Sequence, residues 1–196
     1  MAKFRRGNLS FGFSYNSPVI LTFSLLSLGV LLLAHLTDGA STSLLFSVYR
    51  FSFTDILGYP RLFLHVLGHA GYEHLASNIC MMLVVGPMVE EKYGSKNVFL
   101  SIIVTAFVTG IVHLITSETA MLGASGIVFM LILMASITNF RGGFIPLTLV
   151  VVAVIYLGSE FVNGITVNDN ITQLGHVVGG CMGIVCGIFF SGKRRR

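Results

Sequence analysis

Gly175-His176-Val177-Val178-Gly179-Gly180-Cys181-Met182-Gly183-Ile184-Val185-Cys186-Gly187 combines three properties that decide the fold. The stretch is apolar, it repeats glycine at every fourth position, and it carries a single histidine. Small residues at that spacing line up on one helix face and let a neighbouring membrane helix approach to backbone contact. A titratable side chain at membrane depth is costly and marks a functional site by default. The pattern predicts a membrane helix packed tightly on a partner, with His176 held at the contact.

The rest of the chain has the same character. Of 196 residues, 54% are hydrophobic and 10% charged, against roughly 25% charged in soluble domains, which excludes a soluble globular class. Apolar runs predict helices at 17–36, 74–92, 97–116, 122–139, 145–163 and 172–191, since a helix satisfies its own backbone hydrogen bonds in lipid. The expected fold class is an all-α membrane protein, a six-transmembrane-helix bundle in one domain over 1–196 with short basic tails at 1–16 and 192–196. Ten of the twelve Lys and Arg residues fall in the two tails and the 2–3 and 4–5 loops, and the other two, Arg50 and Arg61, in the first loop. The positive-inside rule then puts both termini in the cytosol.

The basic start followed by apolar residues resembles a signal peptide. Its apolar run, about Val19 to Leu36, exceeds the usual h-region of ~7–15 residues, and no cleavage site follows. An uncleaved first membrane helix is expected. The first loop, 37–73, is half apolar but broken by Ser, Asp and Pro60, which suits a segment lying in the interface. The three cysteines, Cys80, Cys181 and Cys186, form no Cys-x-x-Cys pair and read as small buried hydrophobes. No basic patch interleaved with aromatics occurs, so no nucleic-acid partner is expected.

Three clusters carry chemistry. Ser125 stands in Leu122-Gly123-Ala124-Ser125-Gly126, where small neighbours expose its hydroxyl and a helix starting there aims its positive end at developing negative charge. Taken alone, it equally fits a helix-packing site. His176 can accept the Ser125 proton if its neighbour is the fourth span; otherwise it is a packing histidine bonded to a carbonyl. His74 and Asn78, four residues apart, share one helix face and both donate hydrogen bonds, as an oxyanion hole requires; capping and interhelical bonding are the alternatives. All three groups fall at one depth, toward the external half. His65, His69 and His74 lack the spacing and third ligand of a metal site, so neither metal nor cofactor is expected. His113 and the Glu90/Glu91 pair read as structural, the glutamates as solvated or ion-paired.

At these residues the chain resembles the rhomboid family of intramembrane serine proteases. The family's Gly-x-Ser-Gly matches Gly123 to Gly126, its His-x-x-x-Asn matches His74 to Asn78, and its His-x-x-Gly-x-x-x-Gly matches His176, Gly179 and Gly183. Arg61 corresponds to the Arg of a first-loop Trp-Arg motif in which Pro60 replaces the Trp; Glu90 and Gly94 match a Glu-x-x-x-Gly motif. The likeness covers roughly residues 15–191 and implies a rhomboid-like bundle, with Ser125 as nucleophile and His176 as general base. His74, Asn78 and the Ser125 backbone N–H would form the oxyanion hole, and Phe129, where the family often has Tyr, would pack on the histidine. It further implies transmembrane protein substrates entering from the lipid bilayer and a 5–6 loop, 163–172, that caps the site. The compact core suits a bacterial inner membrane.

Two other readings compete. A non-enzymatic factor that escorts client helices would work without the Ser125 hydroxyl. A small transporter would use the same polar groups as a relay, but spans one to three show no repeat in four to six, and the polar groups gather at one depth.

Overall fold

The computed structural model describes residues 15–140 and 170–191, with scattered positions between 147 and 158. Among the described residues there are seven α-helices: α1 Pro18–Leu36, α2 Ala40–Leu45, α3 Gly58–Leu64, α4 Tyr72–Tyr93, α5 Ser95–Thr116, α6 Ser125–Phe140 and α7 Asn170–Ser191. A 3-10 turn, His65–Leu67, follows α3. The described residues form no strand, only one antiparallel bridge between Val48 and Met121.

Three helical segments are long and apolar enough to cross a membrane: Pro18–Leu36, Ser95–Thr116 and Leu174–Ser191. Helix α6 is apolar but shorter. Helix α4 is long enough but carries Glu73, His74 and Asn78 near its start and Glu90, Glu91 and Lys92 near its end. The expected fifth span, 145–163, lies largely outside the described residues. Leu147, Val150, Val151, Val154 and Ile155 within it are helical and exposed.

Helix α6 is the centre of the bundle. Ile127, Val128, Met130, Leu131 and Met134 are each at most 1% exposed, and a helix apolar on every side is one enclosed by others. Against it lie α4, through Met82, Val85 and Val89, and α7, through its glycines. A Cβ at Gly179 would overlap the carbonyl oxygen of Gly126, and one at Gly183 that of Met130. The stripe read from sequence thus meets α6 backbone to backbone.

Glu90 is neither solvated nor ion-paired, contrary to expectation. It is buried, and its two carboxylate oxygens accept the Val19 and Ile20 amides at 3.0 and 3.1 Å. Those amides open α1 and have no intrahelical partner. Cys186 is buried as expected, but Cys80 and Cys181 are exposed. The fourth span starts at Ser125 rather than 122, because Met121 and Gly123 before it are hydrogen-bonded to Val48 and His65 in other parts of the chain.

The first loop folds around Arg61, which is buried, donates to Leu44 O at 2.8 Å and to Asp55 at 3.0 Å, and lies over the Tyr49 ring. Phe53 and Ile56, 89% and 81% exposed, project outward, as suits an interfacial segment.

Candidate active site

The segment leading into α6 is pinned at three points. His113 of α5 donates Nε2–H to Thr119 O at 2.8 Å. Val48 and Met121 exchange both backbone hydrogen bonds, each 2.8 Å. The Gly123 amide donates to His65 O at 3.0 Å. Gly123 has φ +128° and a Cβ there would lie 2.8 Å from the His74 imidazole, so glycine is required twice over: for the backbone conformation and for the ring beside it.

This strap delivers Ser125 as the first residue of α6, where helix amides have no intrahelical acceptor. One turn of α7 brings His176 opposite, and its Nε2 lies 2.8 Å from Ser125 Oγ. Both residues are 7% exposed. The Phe129 ring, one turn along α6, stacks on the imidazole with centroids 4.5 Å apart and planes 7° off parallel. Stacking fixes the ring plane, and the Gly126–Gly179 contact fixes the distance between helices.

A cavity of ≈ 290 Å³ opens over the serine, with His65, His74, Gly123, Ser125, Gly126 and Gly175 in its wall. His74 therefore faces the same space as Ser125. Asn78 does not line it: the side chain is fully buried and donates to His74 O at 2.8 Å. Of the sequence-predicted residues, Ser125, His176, Phe129, Gly126 and Gly179 meet at the α6–α7 contact, with His74 and Gly123 across the cavity and Asn78 behind His74. Gly183 lies one turn deeper. The 163–172 loop, expected to cap the site, falls outside the described residues except where α7 begins.

His65 is the residue that sequence reasoning missed. Its sequence context offers it only as a poor metal ligand, yet it acts through its backbone carbonyl on Gly123 and its Nε2–H on Ala106 O at 3.0 Å. Burial, opposed by the bond to Ala106 and reinforced by nearby His113, lowers its pKa to about 4. His69 is also lowered to about 4, by burial and the proximity of His74, while Leu67 O opposes the shift. Both are neutral imidazoles at physiological pH. No group of three His, Cys, Asp or Glu side chains among the described residues is placed to hold a metal ion.

A serine hydroxyl at a helix N-terminus, an imidazole nitrogen within hydrogen-bond reach of it and a cavity over both are the arrangement that attack on a carbonyl requires. A search of curated proteins finds no match. The family model described as Rhomboid domain matches residues 58–193, a stretch that contains every one of these groups. The chain belongs to the rhomboid family.

Proposed function

We propose that this protein is an intramembrane serine endopeptidase that cleaves transmembrane segments of other proteins near the outer membrane face. The observation that carries the reading is the 2.8 Å contact between His176 Nε2 and Ser125 Oγ at the start of α6. In the reaction Ser125 Oγ attacks the scissile carbonyl carbon while His176 Nε2 takes the hydroxyl proton. The tetrahedral oxyanion is stabilised by the Ser125 N–H and His74, with the helix end adding positive potential. Asn78, expected in the hole from sequence, serves it through His74, whose backbone carbonyl its side-chain amide holds from behind. The imidazolium then protonates the departing amine, and water, deprotonated by His176, releases the acyl group from Ser125.

The chain is read as one membrane domain over 1–196 with six spans, including one over 145–163. Both termini face the cytosol, given where ten of its twelve basic residues lie. That topology sets Ser125, His74 and His176 toward the external half, where an unwinding substrate helix meets water.

Purified protein in detergent, given a tagged transmembrane substrate, is expected to cut it, while folded Ser125→Ala and His176→Ala variants are silent. Equal cutting by wild type and both variants would sink the dyad. Substrate capture without cutting by wild type and Ser125→Ala alike would favour a client-binding role.

A further inference from the structure

His74 is the third residue of α4, and its backbone is held: the Ser77 hydroxyl and the Asn78 amide donate to its carbonyl at 3.1 and 2.8 Å. Its ring is not held in that way. Among the described residues no hydrogen bond reaches the imidazole, and a histidine ring turns about a broad, two-fold χ2. A donor aimed at developing charge must be fixed before the reaction, since a misplacement near 1 Å lowers rate about 10²-fold. Packing has to supply what hydrogen bonding does not.

Two neighbours touch the ring. Gly123, two residues ahead of Ser125, leaves room for its Cε1–Nε2 edge, whose atoms lie 2.8 and 2.9 Å from where a Cβ would stand. The other is His69, whose ring meets that of His74 edge to face, with centroids 5.1 Å apart and planes at 67°. His69 is itself fixed. It is 3% exposed, and its Nδ1–H donates to Leu67 O at 3.1 Å. A ring tied to a carbonyl two residues back cannot turn without breaking that bond.

Packing alone does not explain a histidine there. With Nδ1 on Leu67 O, the His69 Nε2 is a buried acceptor with no partner among the described residues. Burying a nitrogen without a partner is unfavourable, and phenylalanine or leucine would avoid it. What histidine adds over either is an aromatic plane that is also tied down. Beside it lies space: His69 and Ala70 border an outer cavity of ≈ 450 Å³ between α1 and α2, and Ala70 borders the cavity over Ser125 as well. Without the His69 ring, the His74 imidazole has room to swing away from the serine.

We propose that His69 is a positioning residue for the attack on the carbonyl: anchored on Leu67 O, its ring seats the His74 imidazole against Gly123, facing the cavity over Ser125. The claim rests on the reading of Ser125 as nucleophile and His74 as oxyanion donor.

An alkyl fluorophosphonate tests the seat without a natural substrate. Ser125 Oγ bonds to phosphorus, fluoride leaves, the serine proton passes to His176, and charge develops on the phosphoryl oxygen. Inactivation of the full chain in detergent is followed per folded protein, separating the maximal rate from the half-saturating concentration. His69→Leu and His69→Phe both lose the bond to Leu67 O and differ in the aromatic plane. His69→Leu is expected to lower the maximal rate about tenfold or more with half-saturation little changed, and His69→Phe to stay within about threefold of wild type. In a His74→Ala background, where the donor is already gone, His69→Leu should lower the rate no further. His69→Gln, which reaches Leu67 O without a ring, should behave as His69→Leu does and covers a failure of that variant to fold. Equal losses in the Leu and Phe variants, an unchanged rate in folded His69→Leu, or full additivity with His74→Ala would each overturn the proposal. Cleavage is scored separately. A wild type labelled at Ser125 that cuts no transmembrane substrate would sink the endopeptidase reading and leave the seat to the comparison of variants, whereas a wild type unlabelled at Ser125 would overturn both.

Discussion

Gly126 and Gly179 touch backbone to backbone: the space a Cβ on Gly179 would need holds the Gly126 carbonyl oxygen, with its carbon and Cα 2.8 Å away. Gly126 follows Ser125, and Gly179 lies one turn beyond His176. The 2.8 Å hydrogen bond between Ser125 Oγ and His176 Nε2 therefore depends on α6 and α7 meeting without side chains between them. Gly179→Ala forces the helices apart, and a displacement near 1 Å at a reacting pair lowers rate about 10²-fold. Cleavage by Gly179→Ala is expected to fall at least that far. Gly180→Ala, whose Cβ would meet only Leu133 at 3.9 Å, should stay near wild type. Initial rates per folded protein check both, and equal losses would mean the contact has no special role.

Phe129 provides the imidazole with a face to lie on. A stacked aromatic pair is worth about 0.5–1.5 kcal/mol, so Phe129→Leu should lower kcat roughly three- to tenfold with KM little changed. Phe129→Tyr keeps the ring and should remain within about twofold of wild type. A Phe129→Leu enzyme with unaltered kcat would show that the Gly126–Gly179 contact alone orients His176.

The parts of this architecture legible in the sequence are those that repeat along one helix. The glycine stripe of α7 announced its close contact, and the apolar runs placed α1, α4, α5, α6 and α7 within a few residues of their observed limits. Ser125 and His176 stood out because polar groups are rare in such segments. Less legible were pairings between distant backbone groups. Val48 with Met121 and His65 with Gly123 are joined through amides and carbonyls, which leave no residue-type signature. Glu90 misled for a related reason: a carboxylate near a membrane surface reads as solvated, and only the fold shows two helix-end amides in front of it.

That pairing gives a stability prediction. Hydrogen bonds to a charged acceptor contribute about 1.5–3 kcal/mol each, and buried amides left without one are penalised. Glu90→Ala strands the Val19 and Ile20 N–H groups and should destabilise the fold by about 2–4 kcal/mol, with Glu90→Gln, which keeps one carbonyl oxygen, losing less. Unfolding in mixed micelles measures the order. Turnover per folded molecule at low temperature should not change, because Glu90 serves α1 and not the cavity over Ser125.

Acid should loosen the protein before it touches its carboxylates. His65 and His69 are held neutral by burial, their pKa values lowered from 6.5 to about 4. In the unfolded chain both take up protons near pH 6.5. Between 6.5 and 4 the unfolded state thus binds more protons than the folded one, and stability rises with pH across that window. The contribution is complete above pH 6.5 and is lost progressively as pH falls toward 4. Melting temperature should be level above about pH 7 and decline steadily below 6.5. His69→Gln should flatten part of that slope, whatever it does to the plateau. A melting temperature unchanged from pH 7 to 5 would show that both imidazoles take up protons within the folded protein.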